Sequence, residues 1–123
     1  MNLGELIVAA MEPVGLPIEP GTFTENYDTY LVYNYNEIPV MFADNEPQFI
    51  RYLVQIHLIA PPGKYTYAYR KKIWKCLIEN DFTHPEIIQA HESSKLGGGE
   101  QHFVYMTEYT ASTTGEEGVD IYA

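Results

Sequence analysis

A chain of 123 residues with 46% hydrophobic and 20% charged side chains has the size and apolar content of one globular domain, which excludes a disordered or low-complexity polymer. Seventeen acidic residues against seven basic ones leave a formal net charge of −10, which argues against nucleic acid as a direct ligand. One cysteine, Cys76, rules out an intrachain disulfide and fits a reducing compartment, and no apolar run approaches the ~20 residues of a membrane span.

In chain order, Leu3, Leu6, Ile7, Ala10 and Met11 recur at helical spacing, predicting a short amphipathic helix over 3–11 that stops before Pro13. The first six residues, Met1-Asn2-Leu3-Gly4-Glu5-Leu6, lack the basic start and cleavage site of a secretion signal, so the expectation is a protein made and acting in a cytoplasm, or released by lysis. Residues 12–29 carry Pro13, Pro17, Pro20 and Gly21 and read as a loop. A first strand follows at 30–36, with Leu31, Tyr33 and Tyr35 on one face. Pro39, Asp44, Asn45 and Pro47 then make 37–47 look too broken for a tight hairpin, so this stretch is expected to be a long exposed loop of the kind that serves binding.

The second strand, about 49–59, places Tyr52, Val54, Ile56 and Leu58 on one face and Arg51, Leu53, Gln55 and His57 on the other. The second of these faces is mixed enough to meet solvent or a neighbour. After the breaker Ala60-Pro61-Pro62-Gly63, a main helix is predicted over 66–80, with Tyr69, Ile73, Cys76, Leu77 and Asn80 in one stripe. Trp74 and Ile78 either widen that stripe or form a second apolar seam. Pro85 opens a third strand at 86–93, and 102–110 is the fourth, with Phe103, Tyr105 and Tyr109 on one side. Residues 111–123 read as a loose acidic tail after a single domain over 1–110. The fold class is therefore α+β, an approximately four-stranded mixed or antiparallel sheet with an N-terminal helix and one main helix, in the order α-β-β-α-β-β.

Chemistry-bearing residues are sparse. His57, His84, His91 and His102, with Asp81, Glu86 and Glu92, raise a metal site, but no pair has helical i, i+4 spacing and no HExxH occurs, so ordinary strand-surface histidines are the reading taken. Cys76 falls mid-helix on the apolar stripe and is expected to be buried and inert. Ser93-Ser94-Lys95 lacks the spacing of a serine–lysine hydrolase. Leu96-Gly97-Gly98-Gly99-Glu100 lacks the Gly-Lys-Ser/Thr ending of a phosphate loop and reads as a turn between strands. No catalytic, cofactor-binding or metal residue is assigned. Charge is more telling: Lys64, Arg70, Lys71, Lys72 and Lys75 hold five of the seven positive charges within a dozen residues. This cluster is either a solvated helix face or a basic patch on an acidic body, through which copies could meet head to tail. Eleven tyrosines, which join an apolar ring to a polar tip, add to the case for contact with other proteins.

The run Tyr52-Leu53-Val54-Gln55-Ile56-His57-Leu58, the helix 66–80 closing on Asn80-Asp81-Phe82, the strand Ile87-Ile88-Gln89-Ala90-His91-Glu92 and the segment from Gln101 to Tyr109 together resemble the tail-terminator, or tail-completion, proteins of long-tailed bacteriophages. The resemblance spans about residues 3–110 as an overall pattern, with no catalytic signature to match. It implies an α+β subunit that assembles as a hexameric ring in the bacterial cytoplasm, caps the finished tail tube and becomes part of the virion. The implied partners are further copies of the chain, the major tail-tube protein, and a head-connector or stopper protein, with neither membrane nor specific nucleic acid. The acidic stretch 111–123 and the Pro-rich 12–20 segment depart from that pattern. In such a ring, Arg70, Lys71, Lys72 and Lys75 are expected to face Asp44 and Glu46 of the adjacent copy. The alternatives are a head-closure or minor capsid protein of the neck and, from another class, a small hydrolase.

Overall fold

A computed structural model describes residues 2–22, 27–43, 46–91 and 100–112. Helix α1 (Leu3–Met11) is followed by a single 3-10 turn (Glu12–Val14), then β1 (Ile18–Pro20), β2 (Tyr30–Ala43), β3 (Glu46–Ala60), helix α2 (Tyr67–Glu79), β4 (Glu86–His91) and β5 (Gln101–Ser112). The five strands form one mixed sheet in the order β1-β2-β3-β5-β4, with β1 parallel to β2 and every other pair antiparallel.

The α+β class and both helices match the expectation from sequence, while the strand count and two loops do not. The stretch 12–29 contains β1, which pairs through Ile18↔Leu31 to Pro20↔Tyr33. An edge strand needs only one hydrogen-bonded side, so a proline is tolerated there. The larger correction is 37–47. Strands β2 and β3 stay in register from Tyr30↔Ile59 to Ala43↔Glu46, a long hairpin in place of an exposed loop. Pro39 lies on β2 beyond the residues that β1 reaches, and Pro47 lies on β3 beyond Phe49, the last residue paired with β5. Among the described residues, each proline therefore sits where one side of its strand has no ladder to interrupt. Strand β5 also runs past the expected end at 110, burying Ala111 against the core, whereas residues 113–123 lie outside the described part of the chain. Of the third expected strand, 86–91 is present and 92–93 are outside the described residues.

Both helices pack on one face of the sheet. Leu3, Ile7, Ala10 and Met11 of α1 and Ile73, Cys76 and Leu77 of α2 join Leu31, Tyr33, Ile50, Tyr52, Val54, Ile56, Leu58, Phe103 and Tyr105 in one apolar cluster. These strand residues are alternate positions, so the period of two delivers every one of them to the same side. The Asn2 side chain accepts the Glu5 N–H at 2.8 Å and starts α1, and the Asn80 amide donates to the Cys76 carbonyl at 2.7 Å and closes α2. Asp81, with φ 68, then turns the chain so that Phe82 reaches the core beside Tyr109.

Polar bonds fix where α2 begins. The side-chain amide of Gln101, the first residue of β5, donates through Nε2 to the backbone carbonyls of Pro61 at 2.9 Å and Lys64 at 2.7 Å, while its Oε1 accepts from the buried Thr66 hydroxyl at 3.3 Å. Thr66 in turn accepts from Arg70 Nε at 3.2 Å. The fully buried Tyr105 hydroxyl donates to the Arg70 carbonyl at 3.1 Å, and burial pushes that phenol well above its ordinary pKa.

Candidate functional site

With both helices on one side, the alternate residues of the strands are left on the other. Pairing registers lay them out as rows across the sheet: Asn36–Leu53–Glu108, Asn34–Gln55–Met106–Glu86, Glu19–Val32–His57–Val104–Ile88, and Tyr30–Ile59–His102. Among the described residues no helix covers this face, and Leu53, Ile88 and Met106 remain 36%, 43% and 38% exposed. A sheet face of this mixed type, with apolar side chains set among amides and ion pairs, has the composition of a protein contact surface. Arg51 and Glu108 add a 3.4 Å ion pair, exposed at both ends and so worth no more than about 1 kcal/mol.

The most structured feature of the face is a histidine pair. His57 Nδ1 lies 2.7 Å from His102 Nε2, and the rings are 5.0 Å apart between centroids and tilted by 40°. The other nitrogen of His57, Nε2, lies 3.2 Å from Gln55 Oε1 and 3.3 Å from Asn34 Nδ2. Burial, and after it the neighbouring His102, lowers the His57 pKa below its ordinary value. Sequence reasoning treated the four histidines as separate surface residues. The signal that pairs two of them was present in the sequence, since His57 and His102 sit on consecutive-neighbour strands, but it needs the β3–β5 register, with Ile59 opposite His102, to be read.

The open face also has open edges. Beyond Tyr33, β2 has no strand on its outer side among the described residues, and β4 pairs only with β5. Unpaired strand edges are the usual sites for adding a strand from another chain.

The basic cluster divides into two parts. Lys71, Lys72 and Lys75 stand on the exposed side of α2, and Lys75 approaches Glu79 to 3.7 Å. Arg70 is held against the body by Thr66, with its guanidinium 4.6 Å from the Phe103 ring centre. Lys64 lies 3.7 Å from Asp28. Three lysines are thus the available positive surface, and Arg70 serves the start of the helix. Of the expected acidic counterpart, Asp44 lies outside the described residues and Glu46 is the first residue of β3.

Cys76 is buried between α2 and the sheet, and burial, reinforced by Glu79 and opposed by Lys72 and Lys75, raises its thiol pKa. A neutral, occluded thiol is a poor nucleophile. In native buffer Cys76 should therefore alkylate at least about tenfold more slowly than in denaturant, because reaction requires local opening. Labelling at equal rates in the two conditions would place the thiol on the surface instead. Trp74 is 40% exposed and stacks beside His84 with centroids 5.4 Å apart, so it belongs to the outer flank of the helix and not to the buried stripe.

A separate groove of about 710 Å³ lies against α1, lined by Gly4, Val8, Met11, Leu16, Ile18 and Tyr33. Among the described residues, no cluster of three or more histidine, cysteine or acidic side chains could hold a metal, and no helix is long and apolar enough to cross a membrane. No family model matches the chain, and no curated protein matches it.

Proposed function

We propose that this chain is a structural subunit of a long-tailed phage or prophage, a tail terminator that forms a hexameric ring, caps the tail tube and joins it to the head connector. The resemblance along 3–110 suggests this reading. The observation that supports it most directly is the two-layer build, in which, among the described residues, a five-stranded sheet keeps one face and both edges available while the helices fill the other face. A ring subunit needs two different surfaces, one for each neighbour, because a head-to-tail contact is not self-complementary. The open sheet with its edges and the lysine side of α2 lie on opposite layers of the domain and meet that requirement.

The areas are compatible with this role. A stable contact takes about 800 Å² from each partner, so two neighbours would cover roughly 1,600 Å² per subunit, about one-fifth of a surface of 7812 Å². Of the residues weighed for a small hydrolase, Cys76 is buried and Ser93-Ser94-Lys95 lie outside the described residues. The test is sedimentation of the purified full chain without tail tubes. A species of six subunits, growing with concentration at the expense of monomer, is the expected result. A chain that remains monomeric at high concentration would remove the self-assembled ring.

A further inference from the structure

We propose that His57 and His102 form a two-imidazole site for an exchangeable divalent metal ion of the zinc class on the open face of the sheet. The geometry carries the inference. Two nitrogens from adjacent strands, His57 Nδ1 and His102 Nε2, point at one another across 2.7 Å, close enough that they must share something between them. In the metal-free pair that is one proton. A zinc ion with bonds of about 2.0–2.1 Å and a tetrahedral angle holds its nitrogens roughly 3.3 Å apart, so loading the site asks for an opening of about 0.6 Å. Side-chain rotation on an uncovered sheet face can supply that movement without shifting a strand.

Three further features favour the ion. Gln55 Oε1, 3.2 Å from His57 Nε2, can accept the proton of that nitrogen and leave Nδ1 bare, which is the way an outer carbonyl orients a metal-binding imidazole; in that tautomer the Asn34 amide, 3.3 Å away, turns its oxygen to the same N–H. His102 Nε2 then carries the shared proton in the metal-free state; on loading, this ring takes its other tautomer and both ligands are neutral. Around the pair is a recess of about 380 Å³ bordered by Gly21, Thr22, Tyr30, Val32, Asn34 and Ile59, room enough for the two waters that would complete a tetrahedron. Glu19 and Tyr30 are the other titratable groups that the registers bring to this part of the face, and the net charge of −10 draws cations to the whole surface. With two protein ligands, and no cluster of three among the described residues, the ion is exchangeable and is not required for folding.

Calorimetric titration of the metal-free full chain with zinc chloride near neutral pH tests the site. One equivalent should bind, His57→Ala and His102→Ala should each weaken it at least tenfold, and His84→Ala, which alters a histidine beside Trp74, should leave it unchanged. If either variant fails to fold, nitrogen-detected NMR of the unmutated chain decides the matter, because zinc should shift the ring nitrogens of His57 and His102 together. Absence of a one-equivalent event, equal affinity in the two alanine variants and the parent, or zinc-induced shifts confined to His84 or His91 would overturn the assignment.

Discussion

Replacing Ile73 with alanine should lower the free energy of unfolding by about 2–5 kcal/mol, the loss expected for truncating a fully buried aliphatic side chain. Ile73 is fully buried at the contact between α2 and the sheet, within the same cluster as Leu58, Phe103 and Tyr105. Truncation removes three carbons from water-excluded space and leaves a cavity. The surroundings resist collapse, because the start of α2 is tied to β5 through Gln101 and Thr66 and the middle of the sheet is held by paired strands on both sides. Trp74→Ala, one residue further on, removes a larger side chain but one that is 40% exposed, and should cost less. Urea denaturation followed by circular dichroism measures both. A midpoint for Ile73→Ala within error of the parent, or a larger loss for Trp74→Ala, would mean that the helix docks through a different face.

Much of this architecture can be read from the order of residues, for identifiable reasons. The face of β3 carrying Tyr52, Val54, Ile56 and Leu58 is buried as its alternation requires, and α2 lies between Thr66 and Asn80 because the stripe of Ile73, Cys76 and Leu77 stops there. What could not be read locally depends on neighbours. Proline marks a loop when its strand is flanked on both sides, yet among the described residues Pro39 and Pro47 have a strand on one side only, and only the register of β2, β3 and β5 reveals this. Strand β1 is three residues long and exists through its pairing with β2, so its own sequence carries no periodic signal. The candidate surface shows the same division. The mixed face of Arg51, Leu53, Gln55 and His57 was legible as a surface, but the meeting of His57 with His102 is a diagonal contact across two strands separated by α2 and β4. Arg70 was grouped with the lysines by proximity in sequence. The helix turns it toward Thr66 and Phe103, because 100° per residue separates neighbours that a linear charge count puts together.

The proposed ring makes the sharpest demand on the lysine side of α2. Every copy carries a net charge of −10, so bringing copies together is opposed by like charge unless positive groups are placed at the contact. Lys71 and Lys75 are one helical turn apart and exposed, which makes them the natural candidates, with Glu46, the first residue of β3, as the proposed acidic counterpart in the adjacent copy. Changing both to glutamate should leave circular dichroism and the urea midpoint close to those of the parent, since neither side chain is buried. Association should weaken. Two exposed pairs at about 0.2–1 kcal/mol each amount to as much as a thirtyfold loss at one contact, and the loss is repeated at every contact that closes the ring. Reversal also replaces attraction with repulsion, so the shift from ring to monomer should be plain in sedimentation velocity at low ionic strength. Raising the salt should narrow the difference between variant and parent, because exposed charges are screened beyond ~8 Å at physiological ionic strength and beyond about 3 Å near 1 M. A double variant that assembles as well as the parent at low salt would remove this side of α2 from the contact, and would leave the open sheet face and its edges to hold both neighbours.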